Sequence, residues 1–155
     1  LRLIREVLFY EPEGKGTDTP GALQYLNQIQ RRKAIIFLLS DFLPGKQERE
    51  GELFHMLGLT NRRHDLSCII LADPREIELP DIGWITLEDA ESGEQVKVNT
   101  GNPKYRKSFA EANRKRVEDL EGELRQRGID YVHATTDTPY MHALRTYFNL
   151  RNRRR

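Results

Sequence analysis

Apolar residues occur in two kinds of run along this chain, and the two kinds alternate. Ala34-Ile35-Ile36-Phe37-Leu38-Leu39 and Leu66-Ser67-Cys68-Ile69-Ile70-Leu71-Ala72 are nearly uninterrupted, the pattern of strands buried on both faces. Around them apolar residues recur every three or four positions, the spacing of helices with one inward face. Leu1-Arg2-Leu3-Ile4-Arg5-Glu6-Val7-Leu8 reads as a helix already under way, followed by a polar loop over Glu11 to Gly16. Thr19 can cap the next helix, with Pro20 at its first position, where a missing N–H costs nothing. Ala22, Leu23, Leu26 and Ile29 line its inner face, and Arg31, Arg32 and Lys33 suit its negative C-terminal end. A third helical stretch, Arg49 to Asn61, places Leu53, Met56 and Leu57 together.

The second half begins differently. Trp84-Ile85-Thr86-Leu87 and Gln95-Val96-Lys97-Val98 alternate like a half-exposed hairpin, with Ser92-Gly93 near the turn. Asn102 and Pro103 open a long amphipathic helix that runs to Arg127 and is ended by Gly128. Its stripe is Tyr105, Phe109, Ala112, Val117, Leu120 and Leu124. Ile129 to Thr135 is a third inner strand, and Thr138-Pro139 starts a last helix with Met141, Leu144, Tyr147, Phe148 and Leu150 facing inward. Strands alternating with helices at this spacing predict an α/β fold, Rossmann-like, with right-handed crossovers, a mostly parallel sheet and the hairpin as an edge decoration. The 155 residues fit one domain, or part of a larger one.

Charge and composition narrow the chemistry. A net charge of +1 gives no global attraction to nucleic acid or acidic lipid, and the basic character is local, at Arg145, Arg151 and Arg153 to Arg155. Such a cluster reads first as a solvated helix end; nucleic-acid or lipid binding is the less favoured reading. One cysteine, Cys68, excludes an intrachain disulfide and a cysteine-rich zinc site, and its apolar surroundings predict inert burial. No apolar run is long enough to cross a bilayer and none reads as a signal peptide. His55, His64, His133 and His142 lack metal-ligand spacing, and neither a Ser-His-Asp arrangement nor a phosphate-binding P-loop is visible.

In open α/β sheets ligands gather at the carboxyl ends of the strands. Ser40-Asp41, Asp73-Pro74 and Thr135-Thr136-Asp137 all fall there. Thr17, in a glycine-rich loop, and Asp41, after the first apolar strand, are hard oxygen donors of the type Mg²⁺ takes. Each also has a plainer reading. Thr17 can stabilise its loop, Asp18 can cap locally, and Asp41 can cap the following turn. Ser40 can orient Asp41 or satisfy a backbone group, while Asp73 and Asp137 suit the proline-containing turns beside them.

Taken in order, Phe9-Tyr10-Glu11-Pro12-Glu13-Gly14, Gly16-Thr17-Asp18, Leu38-Leu39-Ser40-Asp41-Phe42, Arg62-Arg63-His64-Asp65, Asp73-Pro74-Arg75-Glu76 with Leu79-Pro80-Asp81, and the Arg-rich end after Tyr147-Phe148 form a pattern. It resembles the bacterial "domain of unknown function fifty-eight" family, a von Willebrand factor type A (vWA)-like fold, over its C-terminal portion. The resemblance implies a three-layer αβα fold whose first strands precede Leu1, leaving an exposed sheet edge that invites pairing with another copy. It implies a metal-ion-dependent adhesion site with Thr17 and Asp41 as metal ligands, Asp18, Ser40 and Asp73 as supporting residues, and an Asp-x-Ser-x-Ser loop outside this sequence. The cofactor implied is Mg²⁺, in the intact protein. The function implied is non-enzymatic protein binding, with a MoxR-type AAA+ ATPase or its client as partner, at the cytoplasmic face of a bacterial inner membrane. The rival reading is an enzyme that uses Asp41 with Mg²⁺ to handle a phosphate, and no lysine, nucleophile or general base stands near to support it.

Overall fold

The structure is a computed structural model that describes residues 2–10, 16–43, 51–89, 93–139, 141, 144, 145, 147–149 and 151. Leu1, residues 11–15 of the loop, the start of the third predicted helix at 49–50, Ser92, His142, Leu150 and Arg153 to Arg155 lie outside the described residues.

Helices α1 (Arg2–Phe9), α2 (Thr19–Ile29), α3 (Glu52–Arg63), α4 (Pro74–Ile77) and α5 (Pro103–Gln126) are interleaved with strands β1 (Ile35–Ser40), β2 (Asp65–Ala72), β3 (Trp84–Glu88), β4 (Gln95–Asn99) and β5 (Asp130–Thr135). The described residues among 141–151 are helical as well. β1, β2 and β5 form one parallel sheet with β2 in the middle, so the predicted α/β class holds.

The register assigns the two faces of this sheet. Ile36 pairs with Leu66 and Leu38 with Cys68, and these side chains share one face. There they meet Leu23 of α2, Leu57 of α3, and Leu120 and Leu124 of α5 in the main core. The opposite face carries Phe37, Asp65 and Ser67. The C-terminal helical residues lie against it, with the Phe148 ring edge-on to Phe37 at 5.8 Å and the Tyr147 hydroxyl bonded to Ser67 Oγ. Helices therefore flank the sheet on both sides, an αβα arrangement of Rossmann-like kind.

Several expectations need correction. The helix over 19–29 is capped by Asp18, not Thr19: the carboxylate of Asp18 accepts from Gly21 N at 2.8 Å. Asp18 sits one residue further out, where an Asx side chain reaches the N–H three positions on. The hairpin β3–β4 does not extend the main sheet but is a separate two-stranded sheet. Its base is fixed by Thr100, whose N–H and hydroxyl both donate to Gly83 O at 2.7 and 2.8 Å. Arg106 of α5 adds a pair to Asp81 at 3.1 Å, so the hairpin leans on a helix rather than on a strand. The stripe of α5 is buried only at Leu120 and Leu124; Tyr105 is exposed, because the first turns of this helix run out toward the hairpin. Met141 and Phe148, predicted to face inward, are also exposed, whereas Tyr147 is buried.

The largest departure is β1. Its pattern predicts burial on both faces, yet its odd-numbered residues are open: Ile35 is 57% exposed, Phe37 40% and Leu39 58%. β2, which reads the same in sequence, is buried at Leu66, Ser67, Cys68 and Ile70, and only Leu71 of its eight residues is exposed. Among the described residues no strand pairs with the outer side of β1.

Candidate functional site

Helix direction decides which loops share a rim with Asp41. α3 ends at its cap His64 and leads directly into β2, so its C-terminus lies at the amino edge of the sheet. Asn27, late in α2, is buried and donates to Thr60 Oγ1, late in α3, at 2.7 Å. The two helices therefore run the same way, and the N-terminus of α2 lies toward the carboxyl edge. Leu23, one turn into α2, and Phe42, two residues past β1, both join the main core, which fits this placement. Thr17 and Asp18 thus precede α2 on the rim that Asp41 follows. Asp18 is committed to capping, and Thr17 is exposed.

The backbone past β1 turns Asp41 outward. Phe42 adopts a left-handed conformation (φ 52°), which costs a bulky residue roughly 1–2 kcal/mol, and its ring is buried. Burial of that ring offsets the local strain and leaves Asp41 pointing to solvent. Ser40 Oγ accepts from Phe42 N at 3.0 Å and Asp41 Oδ1 accepts from Leu43 N at 3.1 Å. The second oxygen of Asp41 has no protein hydrogen bond among the described residues. Ser40 thus serves the turn that carries Asp41. Arg116 of α5 brings a guanidinium nitrogen within 3.5 Å of the Asp41 backbone carbonyl, a neighbour with no local signal along the chain.

Asp73 lies on the same edge, one strand over, and is fully engaged. It caps α4 in a capping box with Glu76, its Oδ1 accepting from Arg75 N at 2.8 Å. Its Oδ2 accepts from Thr136 Oγ1 at 2.6 Å, which joins the ends of β2 and β5. The Thr136 hydroxyl, then the Arg75 N–H, hold the Asp73 carboxyl below its ordinary range. Thr135 and Thr138 share a hydroxyl contact at 2.6 Å in the adjoining turn.

The donor set at the rim is partial. Asp41 has one carboxylate oxygen without a hydrogen bond among the described residues, while Thr17 has an interaction of its own, and a near-octahedral Mg²⁺ shell needs more oxygens than two such residues supply. Among the described residues no group of three or more His, Cys, Asp or Glu is placed to hold a metal ion. His133 contacts Glu121 at 2.8 Å on the α5 side, and burial pushes the Cys68 thiol up to about 12, leaving it inert. A groove of about 440 Å³ lies elsewhere, between α3 and the end of α5, beside Phe54, His55, Arg62 and Arg127.

At the opposite edge of the sheet is a polar cluster that sequence reasoning missed. Arg151 pairs with Asp65 and donates to Ser67 Oγ and to Tyr147 Oη. It is a clamp on the last helix, not part of a solvated basic end. Nothing local in the sequence links Arg151 to its partner 86 residues earlier.

Comparison with known proteins adds the following. The family model described as "Protein of unknown function DUF58" matches residues 1–119. An uncharacterized protein of Mycobacterium avium is 32% identical over 131 residues, which are 84% of this chain and 73% of that protein. Uncharacterized proteins of Mycobacterium bovis and Mycobacterium tuberculosis are each 32% identical over 132 residues, or 84% of this chain and 39% of theirs. The chain therefore spans about two fifths of the length of those two relatives. No solved structure matches. Among the described residues no helix is long and apolar enough to cross a membrane.

Proposed function

The chain belongs to the DUF58 family, and from that premise we propose that it is a non-enzymatic protein-interaction module of vWA type. In this reading Thr17 and Asp41 supply part of a metal-ion-dependent adhesion site, completed by groups outside this chain. Mg²⁺, when bound there, offers an open coordination position to an acidic side chain of a partner. The observation that carries the reading is the outward carboxylate of Asp41, held by its own turn with one oxygen that has no hydrogen bond among the described residues. Ser40 fixes that turn. Asp18 anchors the start of α2, and so the position of Thr17. Asp73 ties the neighbouring strand ends together, so its contribution is rigidity of the rim. In this reading, which follows the family resemblance, the partner is a MoxR-type AAA+ ATPase or its client and the location is the cytoplasmic face of a bacterial inner membrane.

The test uses the full-length polypeptide that carries this chain. Its capture of a MoxR-type ATPase is expected to require Mg²⁺ and to disappear in Asp41→Ala, with the circular dichroism spectrum unchanged. Equal capture in EDTA, or an Asp41→Ala variant that binds as well as wild type, overturns the reading. Turnover of a phosphate ester that depends on Asp41 would instead make the protein an enzyme.

A further inference from the structure

The groove of about 440 Å³ between α3 and the end of α5 uses none of the rim residues. α3 packs on β2 and α5 on β5, so the groove lies over the middle and far strands of the sheet, not at the edge of β1. Its long wall is one stripe of α3, from Gly51 through Phe54, His55 and Gly58 to Arg62. At about 1.5 Å of rise per residue that wall is roughly 16 Å long. Arg127 stands opposite, and among the described residues no carboxylate lines the groove. Arg62 and His55 are exposed, whereas Arg127 is already held in place. Asn61 donates to the Arg127 carbonyl at 3.0 Å, and the guanidinium lies over the Phe54 ring, 5.4 Å from its centroid. Arg127 Nε donates to Phe54 O at 2.9 Å, and Nη1 donates to Glu123 O at 3.0 Å and to the Glu123 carboxylate. Nη2 keeps its two N–H groups uncommitted among the described residues. A guanidinium fixed in this way loses little freedom on binding, and its fork matches a carboxylate. Gly58 is the odd residue of the wall, because glycine weakens a helix interior. Its φ is not positive, and a Cβ there would come no nearer than 3.5 Å to the Arg127 side chain, an ordinary contact. Neither backbone nor packing demands glycine at this position; its effect is an open floor between Phe54 and Arg62.

We infer that this groove is a docking site for an acidic protein segment in extended conformation. Charge complementarity selects the sign of the occupant: Arg62 and Arg127 line the groove, and Glu123, the carboxylate that Arg127 contacts, stands outside the lining. The shape selects its length. A small anion cannot span the wall, whereas about five residues of extended chain cover roughly 16 Å. Such a segment brings carboxylates to Arg62 and to the uncommitted side of Arg127 at once, while its backbone passes over Gly58. The contact requires no metal, so it is a second surface beside the one proposed at Asp41.

The test is fluorescence anisotropy of fluorescein-labelled hexaglutamate titrated with the full-length polypeptide that carries this chain. EDTA is present throughout, so the outcome is independent of any metal at the rim. Hexaglutamate is expected to bind and labelled hexalysine is not. Arg62→Glu, at an exposed position, should weaken binding about tenfold. Gly58→Ala should weaken it about threefold by raising the floor, without lowering the melting temperature, since alanine is the better helix former. Lys97→Glu makes the same change of charge at an exposed position on the hairpin and should leave binding as it is. Absence of hexaglutamate binding overturns the inference. So does an equal loss in Lys97→Glu and Arg62→Glu, which would show general attraction to a polyanion, or full binding by Gly58→Ala, which would put the peptide elsewhere. Displacement of the peptide by an equal concentration of inorganic phosphate would assign the groove to a small anion. Tighter binding when Glu48 and Glu50 are both changed to glutamine would assign it to the acidic stretch that precedes α3 in this chain. Either result would overturn the inference as well.

Discussion

β1 and β2 have almost the same apolar sequence and opposite surroundings. Leu66, Cys68 and Ile70 of β2 lie in the main core, and Ser67 on its other face is buried beneath the last helix. β1 presents one face to the same core; on the other Phe37 meets Phe148 but stays partly exposed beside the open Ile35 and Leu39, and no strand among the described residues pairs with its outer edge. An uninterrupted apolar strand thus reports that both faces are meant to be covered, not which contacts within this chain cover them. The difference divides the molecule into a closed interior around β2 and a more open margin along β1 that leads into Asp41.

The sharpest way to break this comparison is to shorten one leucine on each strand. Leu66→Ala, at a position 1% exposed, should cost about 3 kcal/mol through lost burial and the cavity left behind. Leu39→Ala, on the open face, should cost less than about 1 kcal/mol. Urea denaturation of the two variants measures both, and equal losses would erase the distinction. Next in size is the clamp that closes the second face of β2. Arg151→Ala removes one ion pair from Asp65 and one hydrogen bond each from Ser67 and Tyr147, and should cost about 2 kcal/mol. Phe148 fluorescence is weak, so proteolysis of the C-terminal segment is the better local readout, and faster cleavage is expected.

At the rim the effects are smaller. A Cβ on Gly21 would meet Asp18 Oδ2 at 2.1 Å. Gly21→Ala should therefore lose about 1 kcal/mol by expelling the cap, although alanine is otherwise the better helix former. Asp18→Ala should lose a similar amount, and the double variant little more than either, because both remove one interaction. Thermal melts of the three variants decide this; additive losses would show that the clash and the cap are separate. Smallest is the pH response of Asp73. Its carboxyl is held below the ordinary 3.8 by Thr136 and Arg75. The stabilisation is therefore fully present above that value and is lost as pH falls through the depressed native value. Melting temperatures of wild type and Asp73→Asn should differ at neutral pH and converge in acid. A gap that widens in acid would contradict the assignment.

How much of this was legible depends on how local each cause is. Asn102 and Pro103 announce α5 because capping acts within three residues, and Asn102 indeed accepts from Lys104 N at 3.0 Å. The same locality left Asp18 and Thr19 hard to separate, since neighbouring oxygens compete for one N–H. Asp41 stood out as a carboxylate placed where packing cannot explain it. Arg116 did not, because it reaches the rim from a helix 75 residues further on. Arg151 looked like one more charge in a basic tail, and only the sheet reveals its partner Asp65. The openness of β1 was invisible for the same reason: burial of a strand is set by neighbours that its own pattern does not name.

Amide hydrogen exchange, read residue by residue on the dilute chain in EDTA, puts the contrast between the two strands to the test most directly. The account predicts alternation along β1, with Ile35, Phe37 and Leu39 exchanging rapidly and Ile36, Leu38 and Ser40 protected, against unbroken protection from Leu66 to Leu71. Uniform protection along β1 at low concentration would contradict it, for its outer edge would then already be paired.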